Sequence, residues 1–336
     1  MQRSIRMKDV ARAAGVSVMT VSRAFRADSS VKSNTRARIM KAADDLGYVF
    51  DSTAASLRSQ RTDFVAVIIP SLNNANFAET VGGLSDGLAE SGLQVLLGYT
   101  GYDIAAEERL VEQMLRRRPE AIVVTGGRHS DRTIRLLRAA GIPVVETWDL
   151  PDDPIDHVVG FSNAATTQVM VDHLVGVGYR RIAFIGGDRD GDTRGADRRR
   201  GFLAAMASHG LPVDRLVGAG DPPISMQHGA DAMARLLDGL PETEAVICVS
   251  DLSAFGALAE CQRRGLDVPG DIAIAGFGAY EIAGVCHPTL TTIDPQSRRI
   301  GARAAEVILG VLDAPGAPRR IAIDPRLIPG GTTRNA

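Results

Sequence analysis

MKDVARAAGVSVMTVSRAF, residues 7–25, contains a helical apolar pattern that a glycine interrupts and a serine restarts. Apolar residues recur at helical spacing up to Ala14, and Gly15 is a residue type that readily adopts the left-handed turn after a helix. Ser17 offers an N-cap oxygen to a second helix that begins at Val18. The segment therefore predicts two short helices joined by a tight turn.

The second helix has the wrong composition for a helix that packs in a protein core. Hydroxyls and a guanidinium group occupy its first two turns, on Ser17, Thr20, Ser22 and Arg23. In a DNA major groove, such a helix offers hydroxyls and backbone N–H groups to phosphates and longer side chains to base edges. The pattern therefore predicts a helix-turn-helix, with a core position as the alternative for Met19.

A third helix is predicted from Ser33 to Gly47, with Ile39, Ala43 and Leu46 on one apolar face. Three short helices of this kind make a small all-α domain.

This N-terminal region is basic, whereas the rest of the chain is acidic. Residues 1–60 contain eleven Lys and Arg against five Asp and Glu, a net +6, and the whole chain carries −2, so the remainder carries −8. A basic domain on an acidic body favours a polyanionic partner for the domain alone, with a solvated arginine-rich surface as the alternative.

From Phe64 onward, apolar runs of strand length alternate with amphipathic helical segments. Continuous Val- and Ile-rich runs separated by helices are typical of buried parallel strands in βαβ units. The runs divide near Gly160 into two halves with the same alternation, which predicts two doubly wound parallel-sheet subdomains. The runs are FVAVIIP (64–70), QVLLGYT (94–100), AIVVTGG (121–127), PVVETW (143–148), HVVGF (157–161), RIAFIGG (181–187), AVICVSD (245–251) and IAIAGFG (272–278).

Two such subdomains facing each other form a cleft, and parallel α/β sheets bind ligands at the carboxyl ends of their strands. The residues after the apolar runs are therefore candidate ligand contacts. Most carry hydrogen-bonding groups and a few are aromatic, which suits a small polyhydroxylated ligand. They are Ser71, Asn74, Asn76, Phe77, Thr125, Arg128, His129, Glu146, Trp148, Phe161 and Asn163 in the first half, and Arg198, Ser250, Asp251 and Gly278 in the second.

The string DVARAAGVSVMTVSRAF resembles the DNA-binding domain of LacI/GalR-type bacterial transcription regulators, and the resemblance continues to the end of the chain. It implies a periplasmic-binding-protein-like body and a homodimer that binds a palindromic operator. By position, Val18, Met19 and Arg23 match base contacts, Ser17, Thr20 and Ser22 match phosphate contacts, and Leu57 matches a hinge-helix leucine that enters the minor groove. Phe50 and Asp51 stand where the family usually has Pro-Asn, and an acid beside phosphates is unfavourable.

The resemblance and the strand pattern together predict the domain boundaries. Residues 1–50 form the helix-turn-helix domain, residues 51–61 the hinge, and residues 62–336 the effector-binding and dimerisation domain. Within the last, an N-subdomain comprises about 62–160 plus 293–320, and a C-subdomain about 161–290 plus 321–333.

Several body segments are similar to the gluconate-utilisation repressors of this family, which implies D-gluconate or a related aldonate as effector. Arg198, three residues before a glycine in TRGADRRRGF, matches the family's cleft arginine, and Arg128 is a second candidate for the carboxylate. Gly278 replaces a family aspartate and Ser250 an asparagine, so the cleft favours an anion. The similar segments are EERLVEQML (107–115), residues 125–133, IPVVE (142–146), VGFSN (159–163), AIAGF (273–277) and PGGTT (329–333).

Other classes of protein and site are disfavoured. Cys248, Cys261 and Cys286 are odd in number and lack CxxC spacing, so buried thiols are expected. No GxGxxG follows the first strand and no GKS/T string occurs, so neither a cofactor nor an enzymatic activity is expected. GGDRDGD mimics half of a calcium loop but lacks the rest of the pattern, so no metal is expected. An α/β sugar enzyme would have only Asp251 and Glu146 as cleft carboxylates.

The chain is expected in the cytoplasm, with no membrane contact, because it lacks an 18-residue apolar run and a signal-like start. The end at PGGTTRNA carries no heptad helix, which favours a dimer over a tetramer. A repressor that responds to a neutral sugar and a solute-binding protein are the remaining alternatives.

Overall fold

The computed structural model describes residues 5–25, 30–50, 62–187 and 192–334, and the chain divides into two compact units after Arg61. The first unit contains α1 (Met7–Ala14), α2 (Val18–Ala24) and α3 (Ser33–Leu46). One apolar cluster joins the three helices and buries Val10, Val21 and Ile39 completely. The predicted all-helical fold of this region is therefore confirmed.

Local capping explains why α1 and α2 are separate. Gly15 adopts a left-handed conformation with φ of 61°, and its N–H bonds back to the last turn of α1. Ser17 Oγ accepts a hydrogen bond from the Thr20 N–H at 3.1 Å and so caps α2. Such caps satisfy backbone groups that the ends of a helix otherwise leave without partners.

Phe50, which departs from the family pattern, makes an aromatic contact within this unit. Its ring stacks on Phe25, with centroids 4.9 Å apart and planes 10° apart. Tyr48 meets Phe25 edge-on at 6.1 Å. The residue therefore helps to hold the chain after α3 against the end of α2.

The second unit is built on two parallel sheets with helices between their strands, as predicted. The strands of the two sheets are β1 (Phe64–Ile69), β2 (Gln94–Tyr99), β3 (Ala121–Thr125), β4 (Val144–Thr147), β5 (His157–Gly160), β6 (Ile182–Gly186), β7 (Leu216–Gly218), β8 (Ala245–Cys248), β9 (Ala273–Ala275) and β11 (Arg320–Ala322). The first sheet has six strands in the order β11-β5-β4-β3-β1-β2, and the second has four in the order β7-β6-β8-β9.

The helices of this unit follow the strands in βαβ fashion. They are α4 (Ala75–Leu88), α5 (Ile104–Leu115), α6 (Asp131–Arg138), α7 (Asn163–Gly176), α8 (Thr193–Ser208), α9 (Met226–Gly239), α10 (Asp251–Arg263), α11 (Glu281–Val285) and α12 (Ser297–Asp313), with a short 3₁₀ turn at Ala89–Ser91. Within the described ranges, none of the helices has the length and apolar character that a membrane span requires.

The chain passes between the two sheets after β5, after β9 and after β11. Two short strands, β10 (Thr292–Asp294) and β12 (Arg326–Ile328), pair antiparallel beside these passages. Because β11 pairs with β5 through Ala322, the predicted subdomain boundary at 320/321 falls inside this strand.

Candidate DNA-binding surface and effector cleft

The second helix of the first unit has one buried and one exposed face. Val21 and Ala24 are fully buried, whereas Val18 is 46% exposed and Met19 is 66% exposed. Arg23 is also exposed, and Ser22 is half-buried. Met19 therefore does not occupy the core, and the candidate base contacts share the solvent side of α2.

The candidate phosphate contacts lie at the start of the same helix. The hydroxyls of Ser17 and Thr20 lie 2.8 Å apart, and Ser17 is also the N-cap. An N-terminal turn with two hydroxyls is suited to an anion, because unsatisfied N–H groups point in the same direction. The predicted hinge contact, Leu57, lies outside the described residues.

A chamber between the two subdomains collects most of the predicted effector contacts. Its cavity volume is about 30 Å³, so its own side chains nearly fill it in this arrangement. Two further openings adjoin it through Tyr102, and the larger of them contains Ser71. The chamber is lined by Asn74, Asn76, Phe77, Tyr102, Trp148, Asp192, Arg194, Arg198, Val249, Ser250, Phe277 and Tyr280.

A row of aromatic rings forms one wall of the chamber. Phe77 and Trp148 meet edge-on at 5.2 Å, Trp148 and Phe161 at 5.7 Å, and Phe161 lies 6.1 Å from Phe277. Trp148 has a left-handed backbone with φ of 69°, and its indole Nε1 donates to Thr80 Oγ1 at 3.0 Å. Phe161 is 1% exposed and does not line the chamber, so it supports the wall from behind.

Arg198 extends from α8 across this aromatic wall. Its guanidinium carbon lies 4.3 Å from the centroid of Phe277, and its Nη1 donates to Asn163 Oδ1 at 2.9 Å. Asn163 in turn donates from Nδ2 to the Trp148 carbonyl at 3.0 Å. Burial lowers the pKa of Arg198, and its Nε has no hydrogen-bond partner among the described residues. The chamber therefore contains a cation with an unused donor.

Arg194, which was not among the predicted contacts, also lines the chamber. Only 6% of it is exposed, and its guanidinium carbon lies 5.6 Å from the Phe77 ring and 5.9 Å from the Tyr102 ring. The signal was present in TRGADRRRGF, because Arg194 and Arg198 are four residues apart and so share a helix face.

Two tyrosines, neither of them predicted, face the chamber from opposite subdomains. The Tyr280 hydroxyl donates to Asn74 Oδ1 at 2.8 Å and so joins the C-subdomain to the N-cap of α4. Burial raises the pKa of both Tyr102 and Tyr280, so both hydroxyls stay protonated and can donate.

Arg128 lies in an opening beside the chamber and has a protein partner. Its side chain is 60% exposed, and its Nη2 lies 3.4 Å from Asp197 Oδ1. Asp197 also accepts from Arg200 Nη2 at 3.0 Å. The structure places Arg128 in the adjoining opening, which Tyr102 and Arg194 also line, and not in the chamber with Arg198.

Asp251 is completely buried and does not line the chamber, contrary to its predicted role as an effector contact. One carboxylate oxygen accepts from the Tyr280 N–H at 2.9 Å and the other from Thr292 Oγ1 at 2.6 Å. Burial raises its pKa to about 6, against the lowering effect of these bonds. Ser250, the residue before Asp251, caps α10 and does line the chamber.

Gly278 makes room for Tyr280 rather than contacting the chamber. A Cβ added at Gly278 would lie 2.5 Å from Tyr280 Cε1 and 2.9 Å from Asn76 Nδ2. The tyrosine ring therefore occupies the space of a side chain at the position where the family has aspartate. Gly278 itself borders a separate opening together with Ser297, whose hydroxyl donates to Asn76 Oδ1 at 2.9 Å.

His129 lies inside the first subdomain between two carboxylates. Its Nδ1 lies 2.7 Å from Glu107 Oε1 and its Nε2 lies 3.6 Å from Glu146 Oε1. Burial lowers the pKa of His129, but the two glutamates outweigh that effect and raise it to about 9. A protonated His129 therefore pairs with both glutamates inside the first subdomain. Within residues 5–25, 30–50, 62–187 and 192–334, no His, Cys, Asp and Glu cluster has the arrangement of a metal site.

A helix-turn-helix unit joined to a two-subdomain body with a polar chamber defines a DNA-binding regulator that responds to a small molecule. Residues 6–51 match the family described as "Bacterial regulatory proteins, lacI family", and residues 171–333 match a "Periplasmic binding protein-like domain". The chain belongs to the LacI family of bacterial transcriptional regulators. Members of this family bind operator DNA and small-molecule effectors.

Close relatives span nearly the whole chain. The HTH-type transcriptional regulator GntR of Escherichia coli (strain K12) is 33% identical over 97% of this chain and 98% of its own length. The regulator of the same name from Pseudomonas aeruginosa is 35% identical over 91% and 89%. A crystal structure of a LacI-family regulator from Silicibacter pomeroyi has 35% identity, a TM-score of 0.91, and covers 98% of this chain and 99% of its own. These relatives are regulators and not enzymes, which agrees with the prediction.

Proposed function

We propose that the chain is a repressor whose affinity for a palindromic operator is controlled by a sugar acid, D-gluconate or a related aldonate, bound in the chamber. The observation that carries the proposal is the environment of Arg198. A buried guanidinium whose Nε lacks an acceptor is best satisfied by an anionic ligand, because charge-assisted bonds are stronger than neutral ones.

The other walls suit the polyhydroxyl part of such a ligand. Asn74, Ser250 and the Tyr102 and Tyr280 hydroxyls supply donors and acceptors, and the rings of Phe77 and Trp148 supply a flat apolar surface. The similarity of the body segments to gluconate-utilisation repressors supports D-gluconate as the first acid to test. A repressor that responds to a neutral sugar is the second candidate, because most of the lining groups are uncharged.

On the DNA side, we assign the exposed face of α2 to the major groove. Val18, Met19 and Arg23 are the proposed base contacts, and Ser17, Thr20 and Ser22 the proposed phosphate contacts. For Leu57 we propose insertion into the minor groove, and only the family resemblance supports this role. Two such domains are needed to cover two half-sites, so a homodimer is proposed. Operator DNA in bacteria lies in the cytoplasm, and the proposal places the chain there.

The two activities are coupled in this proposal through the angle between the subdomains. The Tyr280–Asn74 hydrogen bond joins the subdomains at the chamber, and so does the contact of Arg194 Nη1 with the Thr125 carbonyl at 3.4 Å. A ligand that displaces or tightens these contacts shifts the population of subdomain arrangements. Operator and effector then oppose each other reciprocally. We expect the ligand to be an inducer, with corepression as the alternative sign.

The experiment is a titration of an operator fragment with the purified protein at fixed salt. D-gluconate is expected to weaken the specific complex while D-glucose leaves it unchanged. A protein with no affinity for any operator fragment would instead support a solute-binding function. A response to D-glucose with no response to D-gluconate would support the neutral-sugar candidate.

A further inference from the structure

We infer that Arg194 and Arg198 together form the carboxylate-binding subsite of the chamber, and that Arg194 determines the selectivity for a sugar acid over its neutral analogue. The inference rests on the proposed function and deepens it. It replaces Arg128, the second arginine that the sequence suggests, with a residue that no motif assigns.

The position of the two arginines on one helix supports a shared role. Both lie in the first two turns of α8, four residues apart, so their side chains leave the same face. Arg198 lies over Phe277 of the C-subdomain, whereas Arg194 reaches Phe77 and Tyr102 of the N-subdomain. The two guanidinium groups thus lie against rings at opposite ends of the aromatic row.

Hydrogen-bond donors outnumber acceptors around these groups. Each guanidinium has five N–H donors. Among the described residues, Arg194 has one long bond of 3.4 Å to the Thr125 carbonyl and a 3.8 Å contact with Asp192. Arg198 has one bond to Asn163, and its Nε has none. A carboxylate has only acceptors, with about four lone-pair sites, and so complements this surplus.

The charges of the chamber also point to a monoanion. Arg194 and Arg198 carry two positive charges, and Asp192 is the acidic residue that lines the chamber with them. Asp197, on the same helix, faces Arg128 and Arg200 instead. Burial lowers the pKa of Arg198; the charge of Asp192 opposes this lowering, and the smaller effect of Arg194 adds to it. One carboxylate balances the net charge of +1, whereas a phosphorylated sugar acid carries more negative charge than the chamber can balance.

A charge-neutral analogue separates this role from a general structural one. D-gluconamide differs from D-gluconate in the replacement of the carboxylate by an amide. The chain has a single tryptophan, Trp148, and it lines the chamber, so its fluorescence reports binding of either compound to the full-length protein. The measured quantity is the ratio of the two dissociation constants.

The wild type is expected to prefer D-gluconate by about tenfold or more, a typical effect of one charge-assisted pair. Arg194→Gln should lower the ratio clearly while D-gluconamide binding changes little. Arg194→Lys keeps the charge and should keep part of the preference. Arg128→Gln is the matched control, because Arg128 is exposed and paired with Asp197, and it should keep the wild-type ratio.

The outcomes distinguish this inference from the proposed function. A wild type that prefers D-gluconate, with the same preference in Arg194→Gln, overturns the inference and leaves the proposed function standing. The inference is also overturned if Arg194→Gln and Arg194→Lys each lose affinity for both compounds equally, because Arg194 then only shapes the chamber. A wild type with no preference for the acid, or with no binding of either compound, overturns both.

Discussion

The guanidinium group of Arg198 lies over the ring of Phe277, with 4.3 Å between the guanidinium carbon and the ring centroid. A planar cation is held in this way by the ring on one side and by Asn163 Oδ1 at its edge. Its Nε is buried and has no hydrogen-bond partner among the described residues. This arrangement uses properties of arginine that lysine lacks, namely a flat cation and several donors in a fixed geometry.

Arg198→Lys should therefore weaken sugar-acid binding by about tenfold or more, although the charge is kept. Operator binding without effector should be nearly unchanged. Arg199→Lys, at the next position of the same helix, is the control and should bind D-gluconate as the wild type does. Calorimetric titration measures the affinity of each variant for D-gluconate and for the operator. Equal affinity of Arg198→Lys and wild type would show that the guanidinium geometry is not used.

Asp251 should prove to be a positioning residue rather than a ligand contact. Asp251→Ala leaves the Tyr280 N–H and the Thr292 hydroxyl without their buried acceptor, and it should destabilise the protein by about 1–3 kcal/mol. Asp251→Asn can accept from the N–H and donate to the hydroxyl, so it should be close to neutral and should keep effector affinity. Urea unfolding measures the stability of both variants, and ligand titration measures the effector affinity of Asp251→Asn. Loss of effector affinity in stable Asp251→Asn would place the carboxylate at the ligand.

The buried His129 should make stability fall at alkaline pH. Its pKa in the folded protein is about 9, above the ordinary value of 6.5, so the folded state holds the proton more tightly. The corresponding stabilisation, about 2–3 kcal/mol, is fully present below pH 6.5 and is lost as the pH rises through 9. Its partners on neighbouring elements are Glu107 and Glu146.

Denaturant midpoints at pH 6.5 and pH 9.5 measure this loss. His129→Gln is the control, because it removes the titrating group and should reduce the difference between the two midpoints. A wild-type difference no larger than that of His129→Gln would contradict the assignment of a protonated histidine between the glutamates.

The exposed face of α2 should carry operator specificity. Arg23→Ala removes the one side chain there that can form a bidentate pair with guanine, and it should reduce specific binding by about 1–3 kcal/mol. Effector binding should not change. Lys41→Ala is the control, since Lys41 is exposed but paired with Asp45 at 3.0 Å on α3. If both variants lose the same affinity for operator and for unrelated DNA, Arg23 acts only through its charge.

Local patterns were sufficient for the architecture. The helix-turn-helix and the eight long apolar runs were predictable because capping and burial of Val- and Ile-rich strands are encoded within a few residues. The strands β7, β10, β11 and β12, each of three residues, were not predicted, because none of them belongs to a continuous apolar run of strand length.

The candidate site was only partly predictable, because the end of a strand predicts where a residue lies but not which way its side chain points. Ser250 and Asp251 follow the same strand, yet Ser250 caps α10 beside the chamber while Asp251 turns inward to the Tyr280 N–H. Arg128 and Arg194 are both arginines near the cleft, but Arg128 is exposed and pairs with Asp197, whereas Arg194 is buried. Such pairings depend on how α8 packs against the first subdomain, which no local pattern specifies.

The most direct test of the account is the affinity of the purified protein for its operator, at one salt concentration, with D-gluconate and with D-gluconamide. We expect D-gluconate to weaken the specific complex and D-gluconamide, at the same concentration, to leave it nearly intact. Equal effects of the two compounds, or no effect of either, would contradict control of operator binding by a carboxylate in the chamber.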